Sequence, residues 1–221
     1  MSLLVKICGV TTPDAIDAAV SAGADMIGLV FFPRSPRHLS LATARSLAER
    51  AAGRARIVAL TVDATDEDLE TIVSGLAPDV LQLHGGESPE RVAAIRSAFG
   101  RPVMKAVGVA GETDLAAVDA YAVVSDMLLV DAKPPKTTEA LPGGNGLTFD
   151  WRLVAGLDPG RPVMLSGGLH SGNVAEAVRL TRLSGVDVSS GVESTPGRKD
   201  PDRIRAFVAA ARSAQGEGER E

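Results

Sequence analysis

The residues of this sequence able to do chemistry together are few. The only cysteine, Cys8, closes the first apolar run, Leu3-Leu4-Val5-Lys6-Ile7-Cys8-Gly9, and Asp131 closes another, Met127-Leu128-Leu129-Val130-Asp131. A thiol and a carboxylate can exchange protons with a substrate. His84 ends the run Val80-Leu81-Gln82-Leu83-His84, and Asp187 and Ser189 lie in Val186-Asp187-Val188-Ser189-Ser190. Anion binding has its own candidates in two glycine turns, Ser166-Gly167-Gly168-Leu169 and Ser189-Ser190-Gly191-Val192-Glu193. Backbone N–H groups at such turns, opening a helix, suit a phosphate. Gly143-Gly144-Asn145-Gly146 lacks bulky side chains and can approach a ligand closely. Arg37, in Phe32-Pro33-Arg34-Ser35-Pro36-Arg37-His38, sits on a loop stiffened by proline and can grip a carboxylate bidentately. Arg34 reads as a solvated loop residue.

These groups need a frame that gathers them. After Gly9, Thr12 and Pro13 read as the cap and first residue of a helix that ends at Gly23. The apolar run Met26–Phe31 follows, and the unit of strand, helix, strand then repeats. Helices are expected at Leu41–Ala52, Glu67–Leu76, Pro89–Phe99, Asp114–Val124, Phe149–Ala155, Asn173–Leu183 and Pro201–Ser213. Strands are expected at Ile57–Val62, Val80–His84, Val103–Val107, Met127–Asp131, Val163–Ser166 and Val186–Ser190. Eight strands alternate with eight helices, and the strands are apolar on both faces, as parallel strands covered by helices are. The expected fold is α/β, a single (β/α)8 TIM barrel over residues 1–214, with 215–221 a frayed tail. An open doubly wound sheet is the rival arrangement.

Strand alternation then sorts the side chains. Lys6 and Cys8 face the interior, Val5 and Ile7 the helices. Gln82, His84, Asp131, Asp187 and Ser189 point inward. The fifth strand is expected to point Met104 and Ala106 outward and Lys105 inward. Interior charges are costly unless paired or used. Lys6 can pair with Asp187 across the closing seam, and Lys105 with Asp131 on the next strand. Cys8, His84, Asp131 and Ser189 fall at strand C-terminal ends, where barrels of this kind build active sites.

Composition excludes several functions. The chain has 221 residues, 45% hydrophobic and 23% charged, the balance of a globular protein. A net charge of −5 and an aromatic content of 3% give no reason to expect nucleic acid or an anionic membrane as partner. No apolar run is long enough to span a bilayer, and Lys6 interrupts the only candidate secretory core. A single cysteine leaves no internal disulfide, so a cytoplasmic enzyme is the economical reading.

Taken in order, Lys6-Ile7-Cys8-Gly9, Ser35-Pro36-Arg37, Leu81-Gln82-Leu83-His84-Gly85, Leu129-Val130-Asp131, Gly143-Gly144-Asn145-Gly146 with Phe149-Asp150-Trp151, Leu165-Ser166-Gly167-Gly168-Leu169 and Val188-Ser189-Ser190-Gly191-Val192-Glu193 resemble the phosphoribosylanthranilate isomerases over nearly the whole chain. Asn145 stands where that family more often has threonine. The resemblance implies a TIM barrel and an Amadori rearrangement of N-(5-phosphoribosyl)anthranilate in tryptophan biosynthesis. It implies Asp131 as general acid, protonated through burial or the substrate's charge. It implies Cys8 as general base, its thiolate favoured by a nearby cation or strand-end dipoles. It also implies Arg37 on the anthranilate carboxylate, the turns with Gly167, Gly168, Ser190 and Gly191 around the phosphate, and Gly144 and Gly146 at the substrate. His84, Asp187 and Ser189 would neighbour the ribose. Lys6 is expected to act as an interior ion-pair partner, with only indirect influence on Cys8.

No cofactor and no metal are expected, and the partner is a small phosphosugar–anthranilate substrate. A monomer is preferred, with a dimer as the alternative. Two rivals keep the barrel: another phosphosugar isomerase of the same group, and a non-catalytic phosphate-binding barrel. A histidine-pathway isomerase would carry aspartate in place of Cys8, and an epimerase several inner-strand histidines. Intact Cys8 and Asp131 argue against the non-catalytic reading.

Overall fold

The computed structural model describes residues 2–51, 53–133, 146 and 148–218, with side chains to residue 215. Strands β1 (Leu4–Cys8), β2 (Met26–Phe31), β3 (Arg56–Thr61), β4 (Val80–Leu83), β5 (Val103–Val109), β6 (Met127–Ala132), β7 (Val163–Leu165) and β8 (Gly185–Val188) form a closed barrel. All neighbours are parallel, and β8 returns to β1 with Lys6 beside Asp187. Outside them lie α1 (Pro13–Ala22), α2 (Leu41–Ala51), α3 (Asp66–Leu76), α4 (Pro89–Phe99), α5 (Leu115–Ala122), α6 (Val174–Thr181) and α7 (Pro201–Gly218). A short antiparallel hairpin, β9 (Glu193–Thr195) and β10 (Arg198–Lys199), follows β8.

Local signals set these ends. Pro13 opens α1, whose missing N–H costs nothing there, and Gly23 ends it at φ 86°, a left-handed position that suits glycine. Thr65 and Asp68 cap α3 reciprocally, and the Ser88 hydroxyl accepts from Arg91 N to cap α4. The expected helix after β6 is instead a 3-10 turn, Trp151–Val154. Another 3-10 turn, Glu112–Asp114, precedes α5. The last helix runs past Ser213 to Gly218, and Gln215 Oε1 accepts from Leu3 N at 3.0 Å, tying that helix to the start of β1.

The core has two shells. Between strands and helices, Val5, Ile7, Leu128, Val130, Val186 and Val188 pack with Ile16, Ile204 and Phe207. Inside the barrel, Met26, Val58, Val80, Met104, Ala106, Met127, Leu129 and Met164 fill the axis. Methionine is flexible and polarisable and fills such irregular space well.

This interior overturns the expected phase of the fifth strand. Met104 pairs with Met127 and Ala106 with Leu129, so both face inward. Lys105 therefore faces the helices, where its Nζ lies 2.9 Å from Glu87 Oε2, 2.7 Å from Gly85 O and 5.3 Å from the centre of the Tyr121 ring. It is the Glu87 carboxylate, not Asp131, that compensates it. The strand is apolar on both sides, so alternation alone cannot set its phase; a buried lysine is acceptable on either side once a carboxylate reaches it.

Candidate active site

Strand β1 delivers Cys8 to the C-terminal end of the barrel, packed with Val30 of β2 and Leu60 of β3 and flanked by Phe32 and Val62. Space for the thiol comes from β2. Gly28 is the partner of Cys8 in the ladder, and a Cβ there would stand 2.8 Å from Cys8 Sγ. Nothing in the sequence singles out Gly28, because its role depends on strand register.

Below the thiol, Lys6 Nζ donates to Asp187 Oδ1 at 2.8 Å, and Ser166 Oγ donates to Asp187 Oδ2 at 3.3 Å. Both charges are almost wholly buried, the lysine at 0% exposure. Burial pushes the Cys8 thiol above its ordinary range; the Lys6 charge pulls it down, and Asp187 pushes it up again. For Lys6, burial acts to depress the ammonium, but Asp187 and Cys8 outweigh it and hold it above the usual lysine value. Lys6 is thus the interior ion-pair partner expected, held by Asp187, and its charge, with that of Lys199, favours the Cys8 thiolate.

Asp131 ends the inward face of β6. Its Oδ1 accepts from Ala132 N at 2.8 Å, which fixes the carboxylate, and its Oδ2 lies 3.4 Å from His84 Nε2. His84 Nδ1 is 2.9 Å from the Gln82 amide nitrogen, both side chains rising from one face of β4. The two ring nitrogens of His84 thus lie between the Gln82 amide and Asp131.

Arg37 arrives from the loop after β2 and is buried. Its Nε and Nη2 bind Glu193 Oε1 and Oε2 at 2.7 and 2.9 Å. Gly9 makes room: at φ 74° it takes a left-handed backbone, and a Cβ there would meet Arg37 Cδ at 2.4 Å. Lys199 Nζ adds a second cation to Glu193 Oε1 at 2.7 Å and also donates to Ser189 O and Oγ at 3.0 and 3.2 Å. Burial lowers Lys199 to about 8 against the opposing pull of Glu193. Burial works to raise Glu193, but its bonds to Arg37 and Lys199 prevail and leave it below the usual carboxylate range. Sequence reasoning missed Lys199, which becomes visible only once the hairpin folds back over the barrel mouth.

Most of the candidate site residues open onto one cavity. It is lined by Cys8, Arg37, His84, Asp131, Asp187 and Ser189, by the turns at Gly167-Gly168 and Ser190-Gly191, and by Gly146. Val30, Phe32, Leu60 and Val62 make an apolar wall beside Cys8. Asn173 tightens the first turn, its Nδ2 donating to Gly168 O at 3.0 Å and its Oδ1 accepting from His170 N at 2.8 Å. Gly144 and Asn145 lie outside the described residues. The cavity therefore combines a thiol, a carboxylate with an imidazole partner, a cationic end and glycine turns, a set suited to proton transfer on a ligand with two anionic ends.

Residues 5–210 match the family described as N-(5'phosphoribosyl)anthranilate (PRA) isomerase. The chain is 58% identical over 215 residues to an N-(5'-phosphoribosyl)anthranilate isomerase of Azorhizobium caulinodans, covering 97% of this chain and 94% of that one. Among solved structures it is similar to the phosphoribosyl anthranilate isomerase of Thermotoga maritima, with a TM-score of 0.86 and 36% identity over 96% of this chain and 100% of that one. It is also similar to a phosphoribosyl anthranilate isomerase in complex with reduced 1-(o-carboxyphenylamino)-1-deoxyribulose 5-phosphate, with a TM-score of 0.83 and 34% identity over 96% of this chain and 100% of that one.

Proposed function

The chain belongs to the N-(5'-phosphoribosyl)anthranilate isomerase family, and from that premise we propose that Cys8 is its general base and Asp131 its general acid. The protein is an isomerase of tryptophan biosynthesis, converting N-(5'-phosphoribosyl)anthranilate to 1-(o-carboxyphenylamino)-1-deoxyribulose 5-phosphate. Asp131 gives its proton to the ribose ring oxygen as the bond from C1 to that oxygen breaks, leaving C1 doubly bonded to nitrogen. Cys8 removes the proton from C2, giving an enolamine. A proton added at C1 and one lost from the C2 hydroxyl complete the ketone. The protons delivered, to the ring oxygen and to C1, balance those removed, from C2 and its hydroxyl.

Burial disfavours the Cys8 thiolate, with Lys6 opposing. Ring opening changes that balance at the step that needs a base: the cationic imine it produces stands beside C2 and favours a thiolate at Sγ. His84, its Nε2 3.4 Å from Asp131 Oδ2, steadies the carboxylate after it gives up its proton. Arg37 receives the anthranilate carboxylate. The turns at Gly167-Gly168 and Ser190-Gly191, with Gly146 and Gly144, receive the phosphate. Asp187 and Ser189 face the ribose. The enzyme acts in the cytoplasm as a monomer.

The observation that carries this reading is that Cys8 and Asp131 open onto one cavity with the arginine and both glycine turns. Phosphoribosylanthranilate generated in situ loses its fluorescence as it is consumed. Wild type accelerates the loss, and Cys8→Ala and Asp131→Asn each slow it by about 10²–10⁴-fold, the usual worth of a general acid or base. Full activity in either variant would remove that residue from the mechanism.

A further inference from the structure

Glu193 and Lys199 move no proton in this reaction, yet they are 7% and 3% exposed and bonded into the rim of the active site. We propose that they are positioning residues, a buried clasp that aims the Arg37 guanidinium at the substrate carboxylate and, through Ser189, ties it to the loop that receives the phosphate. The inference rests on the assignment of those two subsites made above.

The geometry is that of a relay between loops. Glu193 holds the guanidinium side-on with both oxygens, at 2.7 and 2.9 Å, which fixes its plane and the direction of its remaining N–H groups. The oxygen that takes Arg37 Nε also takes Lys199 Nζ at 2.7 Å. The same ammonium holds Ser189 by its carbonyl and hydroxyl oxygens, at 3.0 and 3.2 Å. Arg203 donates to the Glu193 carbonyl and anchors the start of β9. The hairpin is seated on the loops it serves: Thr11 Oγ1 donates to Gly197 O at 2.8 Å, and a Cβ at Gly197 would stand 2.5 Å from Pro36 O, next to Arg37.

Stability alone does not call for this arrangement. Burying an arginine, a lysine and a glutamate costs desolvation that well-packed apolar side chains of similar volume avoid, and replacing such triads is often neutral or stabilising. Among Arg37, Lys199 and Glu193 the cations outnumber the anion, a balance that favours an incoming carboxylate. Glu193 thus orients Arg37 without cancelling it, because Lys199 offsets the glutamate.

The test uses the intact enzyme and two ligands: the reduced product analogue, and its anilino counterpart lacking only the carboxylate. Dissociation constants are measured by calorimetry, with steady-state kcat and KM alongside. Wild type prefers the carboxylated ligand. In Glu193→Gln that ligand weakens by about tenfold or more, whereas the anilino ligand changes by less than about threefold, and KM rises more than kcat falls. Lys199→Met weakens both ligands, since it also releases Ser189, and Lys199→Arg restores most of the loss. Equal losses on both ligands in Glu193→Gln, or none, would overturn the clasp while leaving Arg37 assigned. No preference in wild type would overturn the Arg37 assignment and the clasp with it. Glu193→Asp, which keeps the charge but shortens the reach, gives the same ligand-selective loss should Glu193→Gln fold poorly.

Discussion

Cys8 answers to opposing environments, and their balance can be measured. Its thiol is packed against Val30 and Leu60, so burial favours the neutral form and raises its pKa, while Lys6 favours the thiolate and Asp187 opposes it. Because only the thiolate alkylates, iodoacetamide should react with the free enzyme along a titration whose midpoint lies above that of an ordinary thiol. Lys6→Met removes the favourable cation and leaves Asp187 unpaired; both effects disfavour the thiolate, so the midpoint moves further up and the rate at any fixed pH falls. A midpoint at or below the ordinary value in wild type, or one that Lys6→Met leaves unmoved, would show that the balance drawn here is wrong. Much of this pair was legible beforehand: alternation in a short apolar strand puts Lys6 and Cys8 on one face, and the same rule puts Asp187 opposite Lys6. Glu193 and Lys199 were legible only as parts of a loop, since the bond of Glu193 to Arg37 joins residues 156 apart in the chain and Lys199 joins the set through Glu193. Gly28 was hidden for a related reason, its importance lying in which residue of β1 it faces.

The elements that carry these side chains are stitched at the barrel's other rim by a repeated device. The residue just before each even-numbered strand of the barrel accepts from a backbone N–H at the start of the strand before it. Asp25 takes Val5 N at 2.7 Å, Asp79 takes Ile57 N at 2.7 Å, Asp126 takes Val103 N at 2.9 Å and Ser184 Oγ takes Val163 N at 3.3 Å. Each bond ties a strand to its successor across the intervening helix, so the barrel is built as four strand–helix–strand units. Asp25 also takes Arg212 of α7, which donates to its Oδ2 at 2.6 Å, much as Asp126 takes Arg96 of α4 at 2.7 Å. Asp25→Ala removes both bonds and leaves the catalytic rim untouched. It should lower unfolding stability in urea by about 1.5–3 kcal/mol, the range for a hydrogen bond to a charged group, with kcat unchanged. Loss of kcat at full stability would mean that this rim communicates with the site. The strands and helices themselves were readable from apolar runs, caps and glycines, to within a residue or two at most ends. The phase of β5 was not, because it is apolar on both faces, and the helix after β6 was overestimated because Phe149–Ala155 carries enough apolar residues for a turn but closes only one.

For the whole molecule, the question is whether the barrel stands alone. The seam between β8 and β1 is closed by the Lys6–Asp187 pair inside and by α7 outside, which packs against α1 and α6. The barrel therefore completes its core within one chain. Among the described residues, the exposed large apolar side chains are Val123, just after α5, and Leu180, in the last turn of α6. A stable interface between copies ordinarily covers about 800 Å² on each partner around an apolar centre, and these side chains do not make one. The net charge of −5 adds a weak repulsion between copies. The protein should therefore run as a monomer of 22.8 kDa in light scattering at micromolar concentration, and its specific activity should not change on dilution. A mass near twice that value, or activity lost on dilution and regained on concentration, would show that the chain needs its own copy. It would also place the contact on polar surface, away from the seam that this sequence closes by itself.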